Sequence, residues 1–171
     1  LDNGIWCDQV IDFITDIIRP INSNKVVIVG NSLGGLVGLT CAASFPEEIS
    51  GIIASPLPDP INLKFNYSEN KSKFKSLRYK LVRLFINLLP IEFILFLINR
   101  FKLIYYFLNF AYEKKEFIDK ELFNIISIPS KRPSAARTLR AMCLGMATRS
   151  YKLKSTFLLK VISEVKKVPF L

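Results

Sequence analysis

Gly30-Asn31-Ser32-Leu33-Gly34-Gly35 is the stretch of this 171-residue chain whose residue types and spacing could do chemistry. A serine with glycine two places before and two places after it, set between an apolar run and a helix-forming run, has the pattern of a nucleophile elbow. The serine would occupy a tight strand-to-helix turn. Side chains at the flanking positions would collide there, so glycine is expected at both 30 and 34. Leu33, one residue on, would turn its N–H toward a developing oxyanion, and the dipole of the next helix would aim at the same spot. The chemistry this allows is attack of the Ser32 hydroxyl on an acyl carbon. A glycine-rich turn with a solvated serine is the plain alternative.

The other residues with chemical potential are fewer. The chain has no histidine, which excludes a histidine metal ligand or a histidine general base among these residues. A serine hydroxyl is a poor nucleophile at neutral pH until a base takes its proton. Asp59, in Pro58-Asp59-Pro60, follows the second apolar run and is either an acid for the site or a turn carboxylate. Cys7, Cys41 and Cys143 are odd in number and widely spaced. Free, buried thiols are expected rather than a disulfide framework or a zinc site. No metal and no cofactor is implied.

The elements that must position Ser32 can be read on either side of it. Trp6, Val10, Phe13, Ile14, Ile17 and Ile18 recur at helical spacing, with Asp8, Asp12 and Asp16 on the wet face. On that stripe Trp6 is expected in the core rather than lining a pocket. Pro20 and Asn22-Ser23-Asn24 end the helix. Lys25 to Val29 is a β-branched run that reads as a strand buried on both faces. Leu36 to Phe45 is helical and stops at Pro46, and Gly51 to Ser55 is a second short apolar strand. This order predicts parallel β–α–β packing with helices on both faces. Three prolines at 56, 58 and 60 then break the pattern. No strand pattern is present from 56 to 167, so residues 56–165 are expected to be an all-helical insertion and residues 166–171 the start of the next core strand.

Charge divides the chain at the same place. Residues 1–60 hold 2 basic and 7 acidic side chains, whereas residues 61–171 hold 22 and 7. Half the residues are hydrophobic and mean hydropathy is +0.30, which excludes a disordered chain. Residues 81–112 are apolar and aromatic. Their best run, Leu84 to Asn99, holds Pro90 and Glu92 and is shorter than the roughly 20 apolar residues a spanning helix needs. A helical pair packed over a core, or lying on a membrane surface, fits better. Peripheral membrane contact through this basic region is expected, and nucleic acid is not. Arg132, Arg137 and Arg140 form either a solvated basic face or a seat for an acidic substrate group. Phe101, Tyr105, Tyr106, Phe107, Phe110 and Tyr112 either floor a lipophilic pocket or pack within the insertion.

Trp6-Cys7-Asp8-Gln9, Val26 through Gly38, Phe45-Pro46 and Gly51-Ile52-Ile53 together resemble the middle third of the α/β-hydrolase superfamily. Gly30-Asn31-Ser32-Leu33-Gly34-Gly35 is similar to its pheophytinase-like and carbon–carbon hydrolase branches. Arg132-Pro133-Ser134-Ala135-Ala136-Arg137 through Gly145-Met146-Ala147 looks like the cap of cyanobacterial and plastid members. Lys167-Val168-Pro169-Phe170-Leu171 looks like the strand that leads to the family's catalytic acid. The resemblance implies a partial parallel sheet with a helical cap inserted after Ser55. It also implies Ser32 as nucleophile and the Leu33 N–H as an oxyanion donor, acting on a hydrophobic ester, related acyl or lipid-like substrate. Serine rather than aspartate at position 32 argues against haloalkane dehalogenase and epoxide hydrolase chemistry. The family's acid and histidine come later in the chain, so these residues are expected to be a fragment, inactive alone, of a plastid or cyanobacterial protein that is membrane-peripheral. A non-catalytic membrane-surface or partner-binding protein on a decayed hydrolase scaffold is the alternative.

Overall fold

A computed structural model describes residues 1–55, 57–59, 72–100, 103–166 and 168–171. Pro56, Pro60, Phe101 and Lys167, and most of the basic stretch before residue 72, lie outside the described residues. The protein is mixed α/β, with two compact units: Leu1–Lys71 with Gly145–Leu171, and Ser72–Leu144.

The first unit is built on a pair of parallel strands, β1 (Val26–Gly30) and β2 (Ile49–Ala54). From Val27 opposite Gly51 to Gly30 opposite Ala54 the register is regular, and an irregularity sits between Val26 and Val27. A third segment runs beside β2 on its other edge. Phe170 bridges Ile52 in parallel, and the Ile52 and Ala54 N–H groups donate to Pro169 and Leu171 at 3.0 and 2.8 Å.

Helix α1 (Asn3–Phe13) starts at Asp2, whose carboxylate accepts the N–H groups of Gly4 and Ile5, a capping arrangement that satisfies two of the first turn's free donors. The helix continues as a π-helical stretch, Ile14–Ile18. Its packed face keeps four of the six predicted residues and is rotated away from the other two. Cys7 and Ile14 are buried and Trp6, Val10 and Ile18 pack partly against the core, but Phe13 and Ile17 are exposed. The rotation is set by Asn3, a residue outside the apolar stripe. Its buried side-chain amide donates to Thr40 Oγ1 at 2.8 Å and to the Leu153 carbonyl at 2.9 Å, and burying that amide requires those partners.

Helix α2 (Leu33–Ser44) is the centre of the unit, buried continuously from Gly35 to Ala42. It packs on both strands, on α1, and on α8 (Ser155–Lys160) with its π-helical continuation Val161–Lys166. Leu36, Leu39, Cys41, Ile49, Ile52, Leu158 and Ile162 are almost wholly removed from solvent. Burial of such side chains contributes about 1.5–3 kcal/mol each. Residues 145–166 thus return to the core, whereas the expected insertion extended to 165.

The expected cover on both sheet faces is not found among the described residues. Val27 and Val29 are 59% and 74% exposed and Ile53 is also exposed, while Val26, Ile28 and Ile52 face α2. A β-branched run therefore alternates here between a packed face and an open one, because the helices that contact it lie on one side.

All the regular structure among the second unit's described residues is helical: α3 (Ser72–Leu88), α4 (Ile91–Arg100), α5 (Leu103–Ala111), α6 (Lys120–Ser130) and most of α7 (Ala135–Thr148). Pro90 separates α3 from α4, where its missing N–H and fixed φ end one helix and open the next. Asp119 caps α6, accepting the Leu122 N–H at 2.7 Å.

Candidate active site

Ser32 occupies the turn between β1 and α2 with φ 51° and ψ −113°. It is the only non-glycine residue with positive φ among those described. For a side-chain-bearing residue such a conformation costs on the order of 1–3 kcal/mol and persists only where neighbours enforce it. Here the enforcement is visible. Asn31 O accepts the Gly34 N–H at 2.9 Å and Ser32 O accepts the Leu36 N–H at 3.2 Å, while Gly30 O accepts the Ser55 N–H at 3.2 Å. The turn is thereby tied to the helix on one side and to the end of β2 on the other.

Glycine is demanded at position 30 by backbone atoms alone. A Cβ there would lie 2.5 Å from Gly34 C and from Gly35 N. At position 34 the expectation of crowding fails, since a Cβ would meet nothing within 4 Å. The second tight position is Gly35, where a Cβ would lie 3.0 Å from the Ala54 Cβ and 3.1 Å from Gly30 O. The pairing of the motif is therefore 30 with 35, because α2 leaves the turn with Gly35 facing the sheet and Gly34 facing away.

Asn31 and Ser32 are exposed, Leu33 is half-buried against the core, and the Ser32 hydroxyl makes no hydrogen bond to any described residue. The Leu33 N–H, at the first turn of α2, donates to no carbonyl among the described residues. An exposed hydroxyl thus stands on a strained turn beside a free N–H at the positive end of a twelve-residue helix. Release of that strain is measurable. Ser32→Gly is expected to be about 1 kcal/mol more stable than Ser32→Ala, after the extra flexibility of an unfolded glycine is subtracted. Urea denaturation midpoints of the two variants check this, and equal midpoints would mean the turn is relaxed.

Asp59 is not free to act as an acid for Ser32. Its carboxylate accepts from the Arg149 guanidinium and from the Ser155 N–H at 3.0 Å. Burial pushes its pKa up, but Arg149 and the Ser155 N–H together outweigh this and hold it below its ordinary value. Arg149 also donates to the Met146 and Leu153 carbonyls. The pair clamps the segment after β2 to the start of α8, so Asp59 is a structural carboxylate. Nothing in residue spacing pointed to Arg149 as its partner.

The remaining candidates are dispersed. Arg140 donates two hydrogen bonds to Glu92, at 2.8 and 2.9 Å, and one to the Leu89 carbonyl. The Arg140 hydrogen bond lowers the Glu92 pKa to about 2. It is therefore a link within the helical unit, while Arg132 and Arg137 are exposed. Tyr105, Tyr106, Phe107 and Phe110 are also exposed, and Tyr112 borders an open hollow of about 300 Å³ with Phe117, Leu122 and Ile125, which the other four do not line. Cys7 and Cys41 are buried free thiols and Cys143 is a half-buried one. No cluster of His, Cys, Asp or Glu among the described residues could hold a metal ion. No family model, no curated protein and no solved structure matches the chain.

Proposed function

We propose that this chain carries the nucleophile of a serine hydrolase of the α/β-hydrolase type, acting on a hydrophobic ester or related acyl compound. The observation that supports it is the strained backbone of Ser32, held at φ 51° and ψ −113° between a parallel strand and the helix it opens. A solvated turn serine has no need of that strain, whereas a nucleophile presented clear of its own backbone does. Sheet, strained serine and separate helical unit occur in the order the hydrolase reading requires.

In the proposed reaction the Ser32 Oγ bonds to the acyl carbon and the carbonyl π pair moves to oxygen. The Leu33 N–H meets that oxyanion, and the α2 dipole lowers its energy further. A tetrahedral adduct forms, then collapses to an acyl-serine with departure of the alcohol, and water later releases the acid. The hydroxyl proton must pass to a base and on to the leaving alcohol. With no histidine among the 171 residues and Asp59 engaged by Arg149, neither a histidine of this chain nor Asp59 supplies that base.

The absence of histidine also favours a second reading, a binding protein that retains a hydrolase-like turn without turnover. A fluorophosphonate probe applied to the protein in its native extract separates the two. Labelling at Ser32, abolished by Ser32→Ala, is the expected result. An unlabelled native protein, beside serine hydrolases that do label in the same extract, would leave the binding reading standing.

A further inference from the structure

We propose that the outward faces of α3 and α4 dock on the surface of an anionic lipid bilayer, with both helices lying along it. The inference stands apart from Ser32 and rests on how these two helices are turned. In α3, Leu77, Leu81, Leu84, Phe85 and Leu88 share one helical face, and all five are more than half exposed, Leu88 to 72%. The opposite side buries Ile86 and half-buries Val82. A helix of a water-soluble domain turns such a stripe inward; α3 turns it outward. In α4, Ile91 is buried while Phe93 and Phe96 are exposed and stacked on each other, with ring centroids 6.4 Å apart.

The charge around these faces selects the occupant. Lys80 is exposed at the edge of the α3 stripe, Arg83 is exposed farther round the helix, and exposed Arg100 lies on the same face of α4 as Phe93 and Phe96. The one acidic residue of the two helices, Glu92, is neutralised by the paired hydrogen bonds from Arg140. Residues 72–144 carry 14 basic and 5 acidic side chains. An apolar stripe with cationic flanks is complementary to acyl chains beneath anionic headgroups. A second copy of the chain would bring the same positive charges face to face, which disfavours self-association. No single helix among those described is long and apolar enough to cross a bilayer, and α3 and α4 reach that length only together, with a bend of 40° between Leu88 and Ile91. Pro90 lies in that break and Glu92 just beyond it, which suits two helices in the plane of the interface.

Flotation of the protein with vesicles of phosphatidylglycerol and phosphatidylcholine, against phosphatidylcholine alone, tests this. Binding is expected to the anionic vesicles and to weaken as salt is raised. Leu81→Asn with Leu84→Asn is expected to lower the partition coefficient at least about tenfold. Lys80→Gln with Arg100→Gln is expected to lower it about fivefold per charge. All four side chains are exposed, and far-UV circular dichroism checks that helix content is retained in both variants. The proposal is overturned by any of four results: no binding to anionic vesicles, equal binding to neutral ones, indifference to both variants, or loss of a dimer in sedimentation equilibrium when the leucines are changed. Retention after alkaline carbonate extraction, with α3 and α4 protected from protease, would replace it with a membrane-inserted hairpin.

Discussion

Alanine at Gly30 is expected to cost about 3 kcal/mol of folding stability, whereas alanine at Gly34 should be neutral or stabilising by about 0.5 kcal/mol. The same substitution is made twice within one motif, and the sign is set by what the new methyl group meets. At Gly30 it meets Gly34 C, Gly35 N and Gly34 O at 2.5 to 2.6 Å. These are backbone atoms of the first turn of α2, with no rotamer through which to yield, so the helix must move off the strand. That movement unlocks the Ser32 turn, and fluorophosphonate labelling should fall with stability. At Gly34 the methyl group enters open space and removes some of the backbone freedom that makes glycine a poor helix residue. Urea unfolding of the two variants beside the native chain gives both numbers. Equal losses at the two positions would mean that the turn does not have the packing described for it.

The second large effect concerns the clamp that Asp59 and Arg149 form between the segment after β2 and the start of α8. Their side chains are 18% and 7% exposed, so neither charge has water enough to replace its partner. Arg149→Ala is expected to cost about 2–3 kcal/mol at neutral pH, somewhat less than a fully enclosed pair, because Asp59 keeps a little solvent contact. The pH dependence follows from the depressed folded-state pKa of Asp59. A carboxylate whose pKa is lower when folded contributes stability that is fully present above its unfolded value, about pH 4, and is lost as pH falls through the lower folded value. The gap between the native chain and Arg149→Ala should therefore be widest from about pH 5 upward and narrow in acid. Denaturation curves at neutral pH and near pH 3 check it. A gap of the same size at both would mean that Arg149 acts through its contacts to Met146 and Leu153 and not through the ion pair.

The locations of β1, α2 and β2, and the place of Ser32 between them, were legible in the sequence because each depends on near neighbours. A β-branched run, a glycine-rich turn and a proline stop act within a few residues. The sequence by itself also determined that no histidine takes part from within this chain, and that its later residues form a basic, apolar, helical unit. The partner of a side chain 90 residues away was not legible. Asp59 could be read as an acid or as a turn carboxylate until Arg149 was found against it. Likewise Gly34 and Gly35 are equivalent in the motif, and only the direction in which α2 leaves the turn decides which one touches the sheet. Helix rotation was decided the same way: Phe13 and Ile17 belong to the apolar stripe of α1, yet the buried amide of Asn3 turns the helix so that they face water. Residues 81–112 could be read as a helical pair packed over a core or lying on a surface, and the tertiary structure leaves the apolar face of α3 exposed. Periodicity and turn chemistry are local properties of a chain, whereas the direction a face points is settled by the packing of whole elements, which local spacing does not encode.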